Sequence, residues 1–190
     1  MRHASAAIAL AGCALLAGCR GLPFPEPKLE GEYGRALGAE TRGAALYDKL
    51  QTRAFVRLVR LTPALVSLQA AEVSTLRAES LPLAAERLAA MRALYAPRSY
   101  FAVVHTPEAS WNDWDQANSV WSVLLGSDGT QIPPAKVERI PRPYTAELRM
   151  LFPYLDDFCV AYVVRFPPEA KGEKVLAAGV LGRMDFDWSQ

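Results

Sequence analysis

Several things are scarce in this chain, and each scarcity excludes something. Cysteine occurs only at Cys13, Cys19 and Cys159, too few for a disulfide-knit fold. Histidine occurs only at His3 and His105. One histidine and one cysteine in the body of the chain do not close a zinc site, which takes four N, S or O ligands. Net charge is nearly absent: 21 Lys and Arg face 20 Asp and Glu. That balance argues against a dedicated nucleic-acid binder. No apolar run reaches the roughly 20 residues a membrane-spanning helix needs. The Gly-x-Ser-x-Gly elbow that presents a serine nucleophile is missing too.

What is present starts at the N-terminus. Met1-Arg2-His3 is a short positive segment, and Ala4 to Leu16 is a run of Ala, Leu and Ile broken only by Ser5, Gly12 and Cys13. Its length and flanks are those of a secretory signal. Leu16-Ala17-Gly18-Cys19 follows and resembles the lipobox of bacterial lipoproteins. The resemblance implies diacylglycerol on the Cys19 thiol, cleavage just before Cys19, and acylation of the new amine. Two or three acyl chains hold a protein firmly at a bilayer, since each buried methylene contributes about 0.8 kcal/mol. Leu10-Ala11-Gly12-Cys13 is a second match. Cleavage there leaves little h-region, so Cys19 is preferred as the lipidation site over Cys13. Arg20, not Asp, follows Cys19. By the same resemblance this implies the outer membrane, facing the periplasm, if the source is Gram-negative.

Removing residues 1–18 leaves 172, one domain's worth and enough for a real core. Residues 19–44 read as lipid anchor and tether, because Leu22-Pro23-Phe24-Pro25-Glu26-Pro27 favours extended backbone and Gly31, Gly34, Gly38 and Gly43 follow; the alternative is that Tyr33 and its neighbours pack as an edge. Residues 45–190 read as the folded domain. A strand is expected over 53–61, after a short helix or turn. Thr62-Pro63 and Ser80-Leu81-Pro82 are helix starts, predicting helices around 63–77 and 82–95. Leu65, Val66, Ala70, Val73 and Leu76 give the first helix an apolar face. Leu81, Ala84, Ala85, Leu88, Met91 and Tyr95 give the second a stripe expected to be core.

From Ser99 the period becomes two. Strands are expected at 100–105, 120–125, 135–140, 158–166, 174–180 and 181–188, with Phe158, Val160, Tyr162, Val164 and Phe166 on one face. Gly126-Ser127-Asp128-Gly129 signals a hairpin. Residues 145–152 fit a short helix or a connecting strand. The sum is a mainly β, α+β chain: an antiparallel, immunoglobulin-like β-sandwich of about seven strands with a helical pair inserted after the first strand. Val104-His105-Thr106-Pro107, Trp121-Ser122-Val123-Leu124-Leu125, Phe152-Pro153-Tyr154 and Tyr162 to Pro167 are similar to a loose group of uncharacterised bacterial lipoproteins. That likeness implies no activity.

No constellation of catalytic residues stands out. His105 beside Glu108, Ser110 or Asp113 is weighed as a general base, and the reading of a strand-end histidine bonded to a turn is preferred. Asp113, Asp115 and Asn118 supply oxygens at alternating positions, but an Asx-rich turn is preferred to a Ca²⁺ site. Asp156-Asp157 and the Asp185/Asp187 pair have poor geometry or simply face water. Cys159 reads as a buried small hydrophobe. Trp111 and Trp114, in a polar loop, offer a surface for stacking a sugar or peptide. The competing reading turns both inward to plug the end of the sandwich.

The sequence thus leads to a non-enzymatic interaction or assembly module, without cofactor or metal. Its expected partners are the membrane, through its lipid anchor, and an envelope protein. The runner-up is a ligand-binding lipoprotein with a groove between the helical pair and the sheet.

Overall fold

The computed structural model describes residues 29–95, 97–127 and 129–189. Cys13, Cys19, the signal and the first part of the expected tether lie outside the described residues.

Among the described residues the fold is α+β: nine strands in two antiparallel sheets, and four α-helices. In order these are α1 (Gly31–Glu40), β1 (Thr41–Asp48), β2 (Gln51–Arg60), α2 (Pro63–Leu76), α3 (Leu81–Leu94), β3 (Ser99–His105), β4 (Trp121–Ser127), β5 (Thr130–Ile132), β6 (Lys136–Arg139), α4 (Ala146–Leu151), β7 (Val160–Arg165), β8 (Lys174–Gly179) and β9 (Gly182–Asp187). One sheet runs β1-β2-β3-β7-β6 and the other β5-β4-β8-β9.

Alternation along the strands builds two cores from one sheet. Ala54, Val56, Leu58, Tyr100, Ala102, Val104, Tyr162 and Val164 point from the five-stranded sheet to the four-stranded one. There they meet Trp121, Val123, Leu125, Val175, Ala177, Met184 and Phe186. The residues between them, Val59, Phe101, Val103, Ala161 and Val163, point the other way and pack under α1, α2 and the α4 region. Phe101 stacks on Phe152, ring centroids 3.8 Å apart. A strand buried on both faces reads as a continuous apolar run, as in Phe101-Ala102-Val103-Val104. The sheets approach along one side, where β1 lies beside β9. Gly182, at φ +137°, sits there so close to Leu46 that a Cβ would come within 2.7 Å of its side chain.

Four expectations need correction. Residues 31–44 of the expected tether are folded: α1 buries Tyr33 and Leu37, and β1, which runs on through 45–48 where a short helix or turn was expected, completes a hairpin with β2. Gly34 makes this possible, because a Cβ there would lie 2.7 Å from the Leu29 carbonyl carbon. The helical pair therefore follows the second strand, not the first. α2 and α3 begin where their prolines predict, and Thr62 Oγ1 accepts the Leu65 N–H at 3.2 Å. The pair, however, lies over a sheet face, and α3 packs chiefly on α2, because α1, α2 and the α4 region already cover the sheet. No residue of α3 is buried, and Leu81 is 87% exposed. Finally, Phe158 is not in a strand: β7 begins at Val160, and Phe158 is 77% exposed in the turn before it.

Candidate functional site

The loop that the sequence singled out closes one end of the sandwich. Its two tryptophans separate. Trp114 is buried between the sheets and stacks on Tyr162, ring centroids 5.8 Å apart. Trp111 closes the short 3₁₀ turn Ala109–Trp111, is half-buried, and lies under the Arg53 guanidinium at 5.5 Å. Its carbonyl accepts the Trp121 indole N–H at 2.8 Å. A stacking surface made of both rings is therefore not formed: Trp114 is buried, and Arg53 lies over the half-buried Trp111 ring.

The loop's carboxylates are taken up by the protein. Asp113 accepts from the Ser119 hydroxyl and the Val120 N–H, both at 2.8 Å. Asp115 pairs with Arg139 at 2.8 Å. Asp156 Oδ1 accepts the Phe158 and Cys159 N–H groups at 2.8 and 3.0 Å. Asp157 pairs with Arg149, Asp185 with Arg183 and Asp187 with Lys174. Among the described residues no three His, Cys, Asp or Glu side chains cluster as metal ligands.

Beside this loop runs a groove of about 600 Å³, floored by the ends of β3 and β7 and walled by the segment after β6. His105, Asn112, Arg139, Arg142, Asp157 and Phe158 line it. His105 Nδ1 lies 3.4 Å from the Phe158 carbonyl oxygen, across the floor. Arg139 is fixed by Asp115, the Asn112 carbonyl and the Tyr162 hydroxyl. Arg142 donates to the Cys159 carbonyl and reaches the Tyr144 hydroxyl at 3.5 Å. Tyr144, buried, donates to the same carbonyl at 3.0 Å and accepts the Ala161 N–H at 2.9 Å. Among the described residues no carboxylate pairs with Arg142, so its charge is not balanced within the groove. Asn112 is buried, and its Oδ1 has no hydrogen-bond partner. A buried amide left without its bond is costly, and a ligand donor would satisfy it.

Next to this polar set Phe158 stands open at the rim. An exposed aromatic, an unbalanced guanidinium and an orphan acceptor are the ingredients of a recognition surface. The sequence pointed to His105 and the tryptophan loop but not to Arg139, Arg142 or Phe158. The one available signal was Arg142 between Pro141 and Pro143, a charged residue held in a stiff loop. Cys159 is beneath the groove, buried and free, and burial with Asp156 nearby pushes its thiol up to about 12. That is the wrong direction for a nucleophile.

A second recess, of about 410 Å³, opens between the ends of β2 and β3, the start of α2 and the end of α3. Arg60, Arg92, Arg98, Tyr95, Tyr100 and Val66 are among its walls. Comparison with protein families, with characterised proteins and with solved structures finds no match to this chain.

Proposed function

We propose that this chain is a lipid-anchored envelope lipoprotein whose folded domain is a non-enzymatic interaction module. Its binding surface is the loop-end groove. The observation that carries the reading is the open Phe158 ring at the rim of a groove holding Arg142, which no described carboxylate balances. An aromatic beside an arginine is the composition of binding hot spots. The lipobox-like Leu16-Ala17-Gly18-Cys19 supports the anchor at Cys19 and the envelope location, outer membrane facing periplasm. Among the described residues no helix is long and apolar enough to cross a membrane. The same proposal places the domain in the immunoglobulin-like class. Two antiparallel sheets closed over one apolar core support it, and the helices over the five-stranded sheet are an addition to that plan.

The test is in-cell crosslinking of the full chain from a photoreactive residue at position 158, with Arg142→Gln as the control. A discrete crosslinked envelope protein, lost in Arg142→Gln while the melting temperature holds, is the expected result. A smear unaffected by Arg142→Gln would refute the groove as the binding surface.

A second reading has its own observation. The 410 Å³ recess is a groove between the helical pair and the sheet, the place a ligand-binding lipoprotein would use.

A further inference from the structure

The turn that joins α2 to α3 is an apolar tip. Leu76 closes α2 and is 64% exposed, Leu81 opens α3 and is 87% exposed, and Pro82 and Leu83 beside it are open to solvent too. The charged residues of the same turn are paired. Arg77 bonds Glu147 of α4. Glu79, its side chain only 4% exposed, takes Arg87 and the Ser74 hydroxyl. The carboxylates next in sequence, Glu72 and Glu86, are on the two helix shafts, a turn back from Leu76 and Leu83. Three leucines and a proline are thus left in water at a tip whose own charges cancel. An exposed apolar patch with a polar rim marks a membrane or protein contact.

The second, independent observation is where the chain enters the domain. α1 and α2 run antiparallel. The end of α1 meets the start of α2 at Arg60, which holds Glu40 at 2.8 Å. At their other ends Tyr33, in the first turn of α1, has its hydroxyl 3.4 Å from Gln69 Nε2, with Glu72 in its field. Leu29 lies against that first turn at Gly34. Leu76 is seven residues of helix beyond Gln69, about 10 Å. α4 touches both places, since Leu151 accepts the Tyr33 hydroxyl and Glu147 takes Arg77. The entry of the chain and the apolar tip are therefore at the same end of the helix layer. Ten residues, 19–28, separate Cys19 from Leu29. A chain of that length reaches at most about 35 Å.

We infer that the α2–α3 tip docks on the bilayer that carries the lipid anchor. Leu76, Leu81, Pro82 and Leu83 enter its surface to interfacial depth, about 5–10 Å, and Glu72 and Glu86 stay among the headgroups. The inference rests on the lipid-anchor reading and adds the end of the domain that turns to the membrane. Four side chains are few for a free domain, but the anchor makes the encounter intramolecular and holds the bilayer at a high effective concentration. A second copy is a poorer occupant. Leu81 and Leu83, two residues apart, lie on different sides of the helix and make no single seam for a partner helix. With its charges cancelled, the tip is held by apolar burial and not by anionic lipid.

The experiment uses the full chain purified from host membranes and reconstituted into vesicles of equal parts phosphatidylethanolamine and phosphatidylglycerol. An environment-sensitive fluorophore is placed on Ser80→Cys in the tip, or on Val180→Cys in the exposed β8–β9 turn of the other sheet. Cys159 is buried and does not compete for the label. Lipids with a nitroxide in the acyl chain quench a fluorophore that sits in the bilayer. Quenching is expected at position 80 and not at position 180, and to the same extent in phosphatidylcholine vesicles. Leu76→Gln with Leu81→Gln is expected to abolish it while the chain stays on the vesicles. The melting temperature of that variant should hold, since both leucines are already open to water in the free domain. A chain that stays on the vesicles with position 80 unquenched would overturn the docking and leave the anchor. Energy transfer between copies labelled at position 80, equal in vesicles and in detergent, would seat a second copy on the tip and overturn the docking too. A chain that leaves the vesicles altogether would overturn the anchor, and the docking with it.

Discussion

Replacing Trp114 by alanine separates a structural from a binding role for the loop-end aromatics. Trp114 is 4% exposed, lies in the core between the sheets and stacks on Tyr162 at an interplanar angle of 17°. Truncating a buried tryptophan costs about 3–5 kcal/mol, the lost transfer energy plus the cavity left behind. For a domain of this size each kcal/mol lowers the melting temperature by about 2–4 °C, so the expected fall is about 6–20 °C. Trp111 is half-buried, and its ring mainly receives Arg53 from above. Its indole-accepting carbonyl is backbone and survives substitution. Trp111→Ala is therefore expected to cost about 1 kcal/mol, the scale of one exposed cation–π contact and a partly buried ring. Thermal melts by near-UV circular dichroism of wild type, both single variants and the double variant give the answer. The double variant should lose little more than Trp114→Ala alone. If Trp114→Ala melts within about 2 °C of wild type, the placement of Trp114 in the core is wrong. A larger loss from Trp111→Ala than from Trp114→Ala would refute it equally.

Further expectations follow from the charges and the thiol. Arg87 bonds Glu79, with Ser74 assisting, and holds its carboxyl down at about 2 against an ordinary 4.5. A depressed folded-state value means stability present above about pH 4.5 and lost as pH falls toward 2. Glu79→Gln should accordingly flatten the acid limb of a melting-temperature profile across that window; an unchanged limb would show that the pair does not act on folding. Cys159, buried with its thiol pushed up to about 12, should resist maleimide at pH 8 in the native state and react once guanidinium unfolds the chain. Intact-mass counting of adducts on a Cys13→Ser, Cys19→Ser chain reads this, and rapid native labelling would contradict the burial. Tyr144→Phe removes the hydroxyl that joins the Cys159 carbonyl to the Ala161 N–H, and should destabilise by about 1–3 kcal/mol in urea unfolding.

Local chemistry explains what was readable from the residues alone. Thr62-Pro63 started a helix because the hydroxyl and the fixed φ act within one turn, the strand 182–187 carried a clean period of two, and 160–165 a short apolar run rich in β-branched residues. Where tertiary contacts decide, the pattern misled. The Asp48 to Gln51 turn has Lys49, at φ +56°, and Leu50 at its centre, with no Gly, Asn or Asp at those two positions to announce it, so β1 went unseen. The glycines of 31–43 looked like linker, yet Gly34 is there so that the Leu29 backbone can lie against α1. The stripe on α3 looked like core, but an apolar helix buries only what its neighbours leave room for, and it lies chiefly against α2 with no residue fully covered. Phe158 continued the alternation of 160–166 by one step too many; the Asp156 carboxylate turns the backbone just before it. The groove was illegible for a related reason: β6, β7 and the His105 loop come from distant parts of the chain and meet only when the five-stranded sheet is assembled.

The most direct test of the account as a whole is the mass of the mature N-terminal peptide from the native host, in wild type and Cys19→Ser. The account predicts a peptide beginning at Cys19 that carries acyl chains in wild type and is absent from the variant. An uncleaved or unacylated N-terminus, or acylation at Cys13, would contradict the anchor at Cys19.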